Sequence, residues 1–367
     1  MLDARRRQTP LNNIMTTTSP LDAPFTYFGG KQAIAPLVWQ ALGAIQNYSE
    51  PFFGSGAVLL GRPDWRPGLT ETVNDLDGWI VNFWRAIQAA PDEVARWADW
   101  PVAETDLTAR HAWLIQRRDE LQERLLGDPA YFDAHVAGWW VWGICCWIGS
   151  SWCSGAGPWS AVDGRLGRHA SARQGIKRQR PNLSCKMGIN RQLPHLSDRG
   201  QGINRKRPHL GNRGQGINRQ VPATEDRGEW IRDWFAALAA RLRDVRVCAG
   251  NWDRILGPAP TVKLGTAGVF LDPPYGADRD GVYTTDSFTV AREVRDWAVA
   301  HGDDPRLRIV LCGYEGEHDL PPTWEKIAWK PQGGYANMGN GKGKANRRLE
   351  RIWLSPHCHK TEQLRML

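Results

Sequence analysis

At 367 residues the chain is long enough for one large α/β domain with an insertion, or for two domains, and no apolar run approaches the roughly 20 residues of a membrane span. Seven cysteines, an odd number without a C-x-x-C pair, argue against a disulfide framework and a zinc site, so no metal is expected. The net charge of +8 is concentrated: residues 165–219 hold fourteen Lys or Arg against the single acid Asp198, which leaves the remainder net acidic. That is a nucleic-acid footprint on an otherwise ordinary enzyme. With no secretory signal at the N-terminus, a soluble cytoplasmic protein is expected.

Residues 1–23 are polar and basic and read as unstructured. Phe25-Thr26-Tyr27-Phe28-Gly29-Gly30-Lys31 then opens a helical pattern through Ile34, Leu37, Val38, Leu42 and Ile45. Gly29 and Gly30 allow a tight turn, and Lys31 in the first helical turn opposes the dipole, where a lysine either holds a carboxylate or is simply solvated. Tyr48-Ser49-Glu50 ends a strand, followed by a turn through Gly54 and Gly56 into a helix. Such a turn lets a ligand lie against backbone at a helix N-terminus, but it falls short of G-x-G-x-x-G and so disfavours NAD. Leu69 to Val73 read as the next strand, ending in Asn74-Asp75-Leu76-Asp77. At this offset from a glycine turn an acid grips ribose hydroxyls, so Asp75 is the candidate, and Asp77 is read as the N-cap of a helix Trp79 to Ala89. Together these imply an adenosine-containing cofactor.

Helices are expected at 91–100 and 107–126, then a buried aromatic segment from Trp139 to Ile148. Most of the twenty tryptophans are expected in the core. Residues 175–229 form an internal repeat: GIKRQRPNLSCKM, then GINRQLPHLSDRGQ, GINRKRPHLGNRGQ and GINRQVPATEDRGE, a period of fourteen after a unit one residue shorter. Each unit carries too little apolar area to fold alone, so it is either a flexible insertion or an arm that orders on DNA. In the second case Arg191, Arg205, Lys206, Arg207 and Arg219 are candidate contacts to phosphates and guanine edges. An amphipathic helix Trp230 to Val245 and a strand to Cys248 lead to Gly250-Asn251-Trp252-Asp253. A polar loop 277–287 suited to closure, a helix 290–300, and strands at 307–312, 323–329 and 349–354 complete the chain, the last preceded by a glycine-rich loop 333–344.

Between these lies Gly268-Val269-Phe270-Leu271-Asp272-Pro273-Pro274-Tyr275, a buried strand halted by two prolines. In an open α/β sheet the carboxyl end of a strand is where ligands bind. Asp272 and the Pro273 carbonyl are two fixed acceptors, and Tyr275 is an aromatic face. That trio suits a planar heterocycle with an exocyclic amine, whose two protons the acceptors take while the ring is stacked. Drawing both N–H bonds into acceptors localises the nitrogen lone pair and makes the amine nucleophilic.

In this order the motifs F-T-Y-F-G-G-K, E-P-F-F-G-S-G, N-D-L-D, D-P-P-Y and, from Glu350, E-R-I-W-L-S-P-H-C resemble the Dam-type DNA adenine methyltransferases, especially phage and prophage members. The resemblance runs from Phe25 to about Cys358 and implies a Rossmann-like α/β sheet with an inserted helical and basic-repeat target-recognition region. It implies a first catalytic part at 24–105, the insertion at 106–224, a second catalytic part at 225–358 and a tail at 359–367. It further implies S-adenosyl-L-methionine as cofactor, with Tyr27 and Lys31 on its methionine part, Glu50, Phe53, Gly54 and Gly56 in the turn beneath it and Asp75 on its ribose. Asp272, Pro273, Pro274 and Tyr275 fall on the catalytic motif that holds a flipped adenine. The chain departs where the family commonly has Asp-Phe near the cofactor adenine: here Asn251-Trp252 stands, with Asp253 as rival to Asn251. The expected partner is double-stranded DNA, with or without a cognate restriction nuclease. The alternatives are methylation of cytosine or RNA, and a catalytically silent DNA-binding protein.

Overall fold

The computed structural model describes residues 21–25, 27, 31–147, 152–153, 159–162, 165–168, 227–257, 263, 265–274, 288–329 and 349–360. After a short 3-10 turn at Lys31–Ala33 come α1 (Ala35–Leu42), β1 (Asn47–Glu50), α2 (Ala57–Leu60), β2 (Thr70–Asp75) and α3 (Gly78–Ala89). Four further helices follow, α4 (Pro91–Ala98), α5 (Glu104–Ile115), α6 (Arg118–Gly127) and α7 (Ala134–Cys146), and then a hairpin of β3 (Trp159–Val162) and β4 (Arg165–Arg168). The second half holds α8 (Arg227–Leu242), β5 (Val245–Ala249), β6 (Ala267–Leu271), α9 (Phe288–His301), β7 (Leu307–Tyr314), β8 (Glu325–Ala328) and β9 (Glu350–Leu354).

Seven strands form one sheet in the order β5-β2-β1-β6-β7-β9-β8. β5, β2, β1, β6 and β7 are mutually parallel, and β9 runs antiparallel to both β7 and β8. This is the mixed α/β, Rossmann-like sheet expected from the motifs. The chain steps outward from β1 to β2 and β5, then returns to the other side of β1 as β6. The reversal opens a crevice at the carboxyl ends of β1 and β6. β6 is buried at every position, as a central parallel strand should be, which is why its sequence is a continuous apolar run.

Helix α3 begins as expected, with the Asp77 side chain accepting from the Trp79 backbone N–H at 2.9 Å. One expectation needs revision. The stretch 107–126 is two helices, because the Arg117 N–H turns back to the Leu114 carbonyl at 2.8 Å while its guanidinium donates to the Trp113 carbonyl at 3.1 Å, closing α5 at Ile115. The aromatic run from Trp139 is the second half of α7, which Asp133 caps by accepting from the Val136 N–H. Gly138 brings α7 against α4: a Cβ there would sit 2.3 Å from the Trp97 Cβ.

The core joins both halves of the chain. Phe25 meets Phe83 and Trp140 edge to face, at centroid distances of 5.4 and 5.0 Å, and Phe83 lies tilted against Trp140 at 5.9 Å. Helix α8 is tied to β2 through a buried fork, in which Arg241 donates to Glu71 Oε2 at 2.6 Å and to Oε1 at 2.9 Å. Arg62 donates to the same Glu71 Oε1 at 3.1 Å, so two guanidiniums satisfy one buried carboxylate. Among the described residues no helix is long and apolar enough to cross a membrane, and no group of three or more His, Cys, Asp or Glu stands ready to hold a metal ion.

Candidate active site

Three strands end their parallel runs with acids along one edge of the sheet: β1 at Glu50, β2 at Asp75, and β6 immediately before Asp272. One pocket at this edge is lined by Tyr27, Lys31, Glu50, Phe53, Gly54, Asp75, Asn251, Asp272 and Pro274. Residues from four separate sequence motifs therefore share a single cavity. Gly56 and Pro273, both expected at the site, do not line it. Gly56 shapes the turn instead: its φ is +68°, and a Cβ there would meet the Phe53 ring at 2.9 Å and Trp84 at 3.1 Å. Pro273 is buried behind the strand end. Tyr275, the closing loop 277–287 and the basic residues Arg191, Arg205, Lys206, Arg207 and Arg219 lie outside the described residues.

The glycine turn is held by backbone groups. Gly54 adopts φ +50°, and its N–H donates to Asp75 Oδ2 at 2.9 Å. The other oxygen of Asp75 accepts from the Asp77 N–H at 2.9 Å. Asp75 thus links the turn after β1 to the loop after β2 while keeping lone pairs free for a hydroxyl donor. Burial, with the nearby Asp77 charge, pushes the Asp75 carboxyl up to about 7, against the N–H bonds that favour its anion. Asp77 is itself raised by burial to about 6.

Asn74 was not expected at the site, yet it stitches the edge together, donating from Nδ2 to the Pro51 carbonyl at 3.2 Å and to the Gly250 carbonyl at 2.9 Å. A buried amide at a strand end is the signal that could have found it. Leu76 is a second such residue: it lines the pocket and is 43% exposed, which puts apolar surface on the cavity wall. Phe52 and Trp252 stack at a centroid distance of 6.3 Å and line the same cavity. Asn251 does line it, but its side-chain oxygen accepts from the Trp252 N–H at 3.0 Å, which leaves the amide N–H groups as its free donors. Asp253, its rival, is exposed and outside the lining.

At the β6 end the side chains do the organising. Lys31 is buried in the 3-10 turn before α1, and its Nζ lies 3.1 Å from Asp272 Oδ1 and 4.0 Å from Glu350 Oε2. The lysine that the sequence marked as a carboxylate holder therefore holds the acid of the D-P-P-Y motif. Glu350 is a further acid at the site, buried at the start of β9. Glu50 is buried and accepts from Tyr48 Oη at 2.8 Å. Burial raises its carboxyl well above the usual range, and the charges of Asp272 and Asp75 add to that. The cavity thus sets an ion-paired Asp272 beside a buried Glu50 whose carboxyl is pushed toward its neutral form.

Residues 27–122 match the family model described as D12 class N6 adenine-specific DNA methyltransferase. No curated protein matches the chain. The matched stretch contains the lysine, the glycine turn and the β2 acid, and the sheet carries the D-P-P end of β6 into the same cavity. Over these residues the chain is similar to the D12 class N6 adenine-specific DNA methyltransferases.

Proposed function

We propose that this cavity holds S-adenosyl-L-methionine over the glycine turn and, beside it, an adenine flipped out of duplex DNA against Asp272. The observation that carries the reading is that one cavity unites Gly54, Asp75, Asn251, Lys31 and Asp272 at the reversal point of the sheet. The residues fit that cofactor. Asp75 retains acceptor capacity for ribose hydroxyls, the exposed Leu76 offers apolar surface to an adenine ring, and Gly54 and Ser55 leave backbone open to close approach. When bound, the cofactor supplies an electrophilic methyl group on a sulfonium sulfur.

The protein's own part is to present the nucleophile. Flipping costs a few kcal/mol, offset by contacts to the extruded base. Asp272 Oδ accepts one N6 proton, Tyr275 stacks on the base, and the N6 lone pair is localised toward the methyl donor; the other expected acceptor, the Pro273 carbonyl, belongs to a buried residue outside the cavity lining and must turn toward the base to take part. Lys31 fixes the rotamer of Asp272 through its ion pair with Oδ1. With the methyl donor bound, the N–C bond would form as the methyl–sulfur bond breaks to leave a neutral thioether, and N6 would release one proton, for which Asp272 is the acceptor at hand. Holding both reactants in contact supplies most of the acceleration. The basic repeats, including Arg191, Arg205, Lys206, Arg207 and Arg219, supply the DNA-binding arm, and the enzyme works in the cytoplasm with or without a cognate nuclease.

The test is a nucleoside digest, read by mass spectrometry, of plasmid DNA from a methylation-deficient host expressing the protein or its Asp272→Ala variant. N6-methyladenine is expected only with the intact protein. Methyladenine with both, or loss of cofactor binding in the variant, would overturn the assignment of Asp272.

A further inference from the structure

The helices between the two sheet halves carry a second cleft, of about 650 Å³, between α4, α5 and α7. It is lined by the indoles of Trp97, Trp100, Trp113 and Trp139, the guanidiniums of Arg96 and Arg110, and one acid, Asp106, so the cations outnumber the anion two to one. That volume falls within the range of small-ligand sites. Nothing in the catalytic cavity uses these residues, and the two linings share none.

Indole and guanidinium alternate here. Arg110 stacks on Trp100, Trp139 and Trp142, its Cζ at 4.9, 4.8 and 4.3 Å from the ring centroids. Arg96 lies 5.0 Å over Trp97, and Arg117 lies 3.5 Å over Trp113. Arg110 is nine-tenths buried, and its Nη1 has no hydrogen-bond partner among the described residues. Asp106 favours the charge of Arg110, while its Oδ2 accepts from Trp100 Nε1–H at 2.7 Å. Burial pulls the guanidinium down from its ordinary value, so the cation is underserved where it stands. Trp100 is 46% exposed, a large apolar ring left open at the mouth of a cationic cleft.

Flat rings interleaved with guanidiniums take a ligand that is both planar and anionic. An acidic peptide supplies the charge without the flat face, and an apolar ligand supplies the face without the charge. A nucleotide supplies both, and DNA is what this enzyme acts on. We propose that the α4–α5–α7 cleft is a second DNA site that receives an unstacked nucleotide, its base against the indoles and its phosphate on the guanidiniums. The inference rests on DNA being the substrate and adds a place for a base other than the adenine being methylated.

The experiment compares a labelled duplex containing one unpaired thymidine with the same duplex fully paired, binding each to the full-length protein without turnover. The parent is expected to prefer the bulged duplex and to show quenched tryptophan fluorescence on binding it. Trp100→Ala is expected to lose about tenfold in affinity for the bulged duplex and less than twofold for the paired one. Arg96→Gln, at an exposed position, checks the phosphate half and is expected to erode the same preference. An unchanged ratio in both variants, or a parent without the preference, overturns the proposal. Because the ratio needs no methyl transfer, an inactive catalytic cavity and an empty second cleft give separate results.

Discussion

The two halves of the catalytic cavity are built from different materials. On the β1–β2 side, backbone groups fix the shape: Gly54 N–H on Asp75, Asp77 N–H on Asp75, and Trp84 Nε1 on the Gly54 carbonyl at 3.0 Å. On the β6 side the shape depends on the Lys31–Asp272 pair, whose members are distant in sequence, with Glu350 from the last strand beyond them. The first half spreads its restraint over three bonds between backbone groups and the Asp75 and Trp84 side chains, whereas the second rests on one ion pair. The cofactor side should therefore fail gradually and the base side abruptly.

Asp272→Ala gives the largest expected effect. Turnover should fall by at least about 1,000-fold, because the amine loses its principal acceptor, while the dissociation constant of S-adenosylmethionine, measured calorimetrically, stays within about twofold. Equal damage to both would mean that the halves are not separable.

Lys31→Met comes next. Removing one member of a buried pair leaves the Asp272 carboxylate near Glu350 and Glu50 without its cation, which destabilises a protein by about 3 kcal/mol or more when burial is complete. With Asp272 still partly exposed, a lower melting temperature and a fall of about 100-fold in kcat are expected, with partial recovery in Lys31→Arg. Should the variant instead keep kcat and lose cofactor affinity, Lys31 would serve the methionine part of the cofactor, as the family resemblance implied.

Gly54→Ala should act on the other half. At φ +50° an alanine is strained by about 1 kcal/mol, and its Cβ would lie 3.0 Å from the Tyr27 ring. Cofactor affinity should weaken about tenfold, with kcat at saturating cofactor largely kept.

The same contrast explains what could be read from sequence. The glycine turn, Asp75 and the Asp77 cap are local, set by residues a few positions apart, and they stood where the pattern put them. The partner of Lys31 could be named only as some carboxylate, since pairing across the sheet depends on strand order rather than spacing. Glu350 lay in a quoted motif without a role for the same reason. The single helix expected over 107–126 failed because a helical period does not record the Arg117 side chain competing for the Trp113 carbonyl. The aromatic run of α7 had no clear period because it is apolar almost all round, as helices packed on several sides are.

The smallest effect separates the halves by pH. Asp75 titrates at about 7 in the folded protein, against the ordinary carboxyl value of 3.8 when unfolded. Between those values the folded state binds more protons, so the stability this group contributes is present below the lower value and is lost as pH rises through the upper one. The cofactor-free protein should therefore lose stability from pH 4 toward pH 7 at this site, by on the order of 1 kcal/mol once partial solvent access is allowed for. Cofactor affinity should move the other way, since a ribose hydroxyl donates better to the anion. Asp77, raised to about 6, adds to the slope but not to the contact with Gly54. In Asp75→Asn one backbone N–H, that of Gly54 or of Asp77, loses its acceptor, which lowers stability at every pH, and the pH slope assigned to Asp75 disappears. Thermal melts of the two proteins across pH 5 to 8 measure this: parallel curves would mean that Asp75 is ionised throughout, and that the turn after β1 is held by a charge and not by a carboxyl that gains its charge as the cofactor binds.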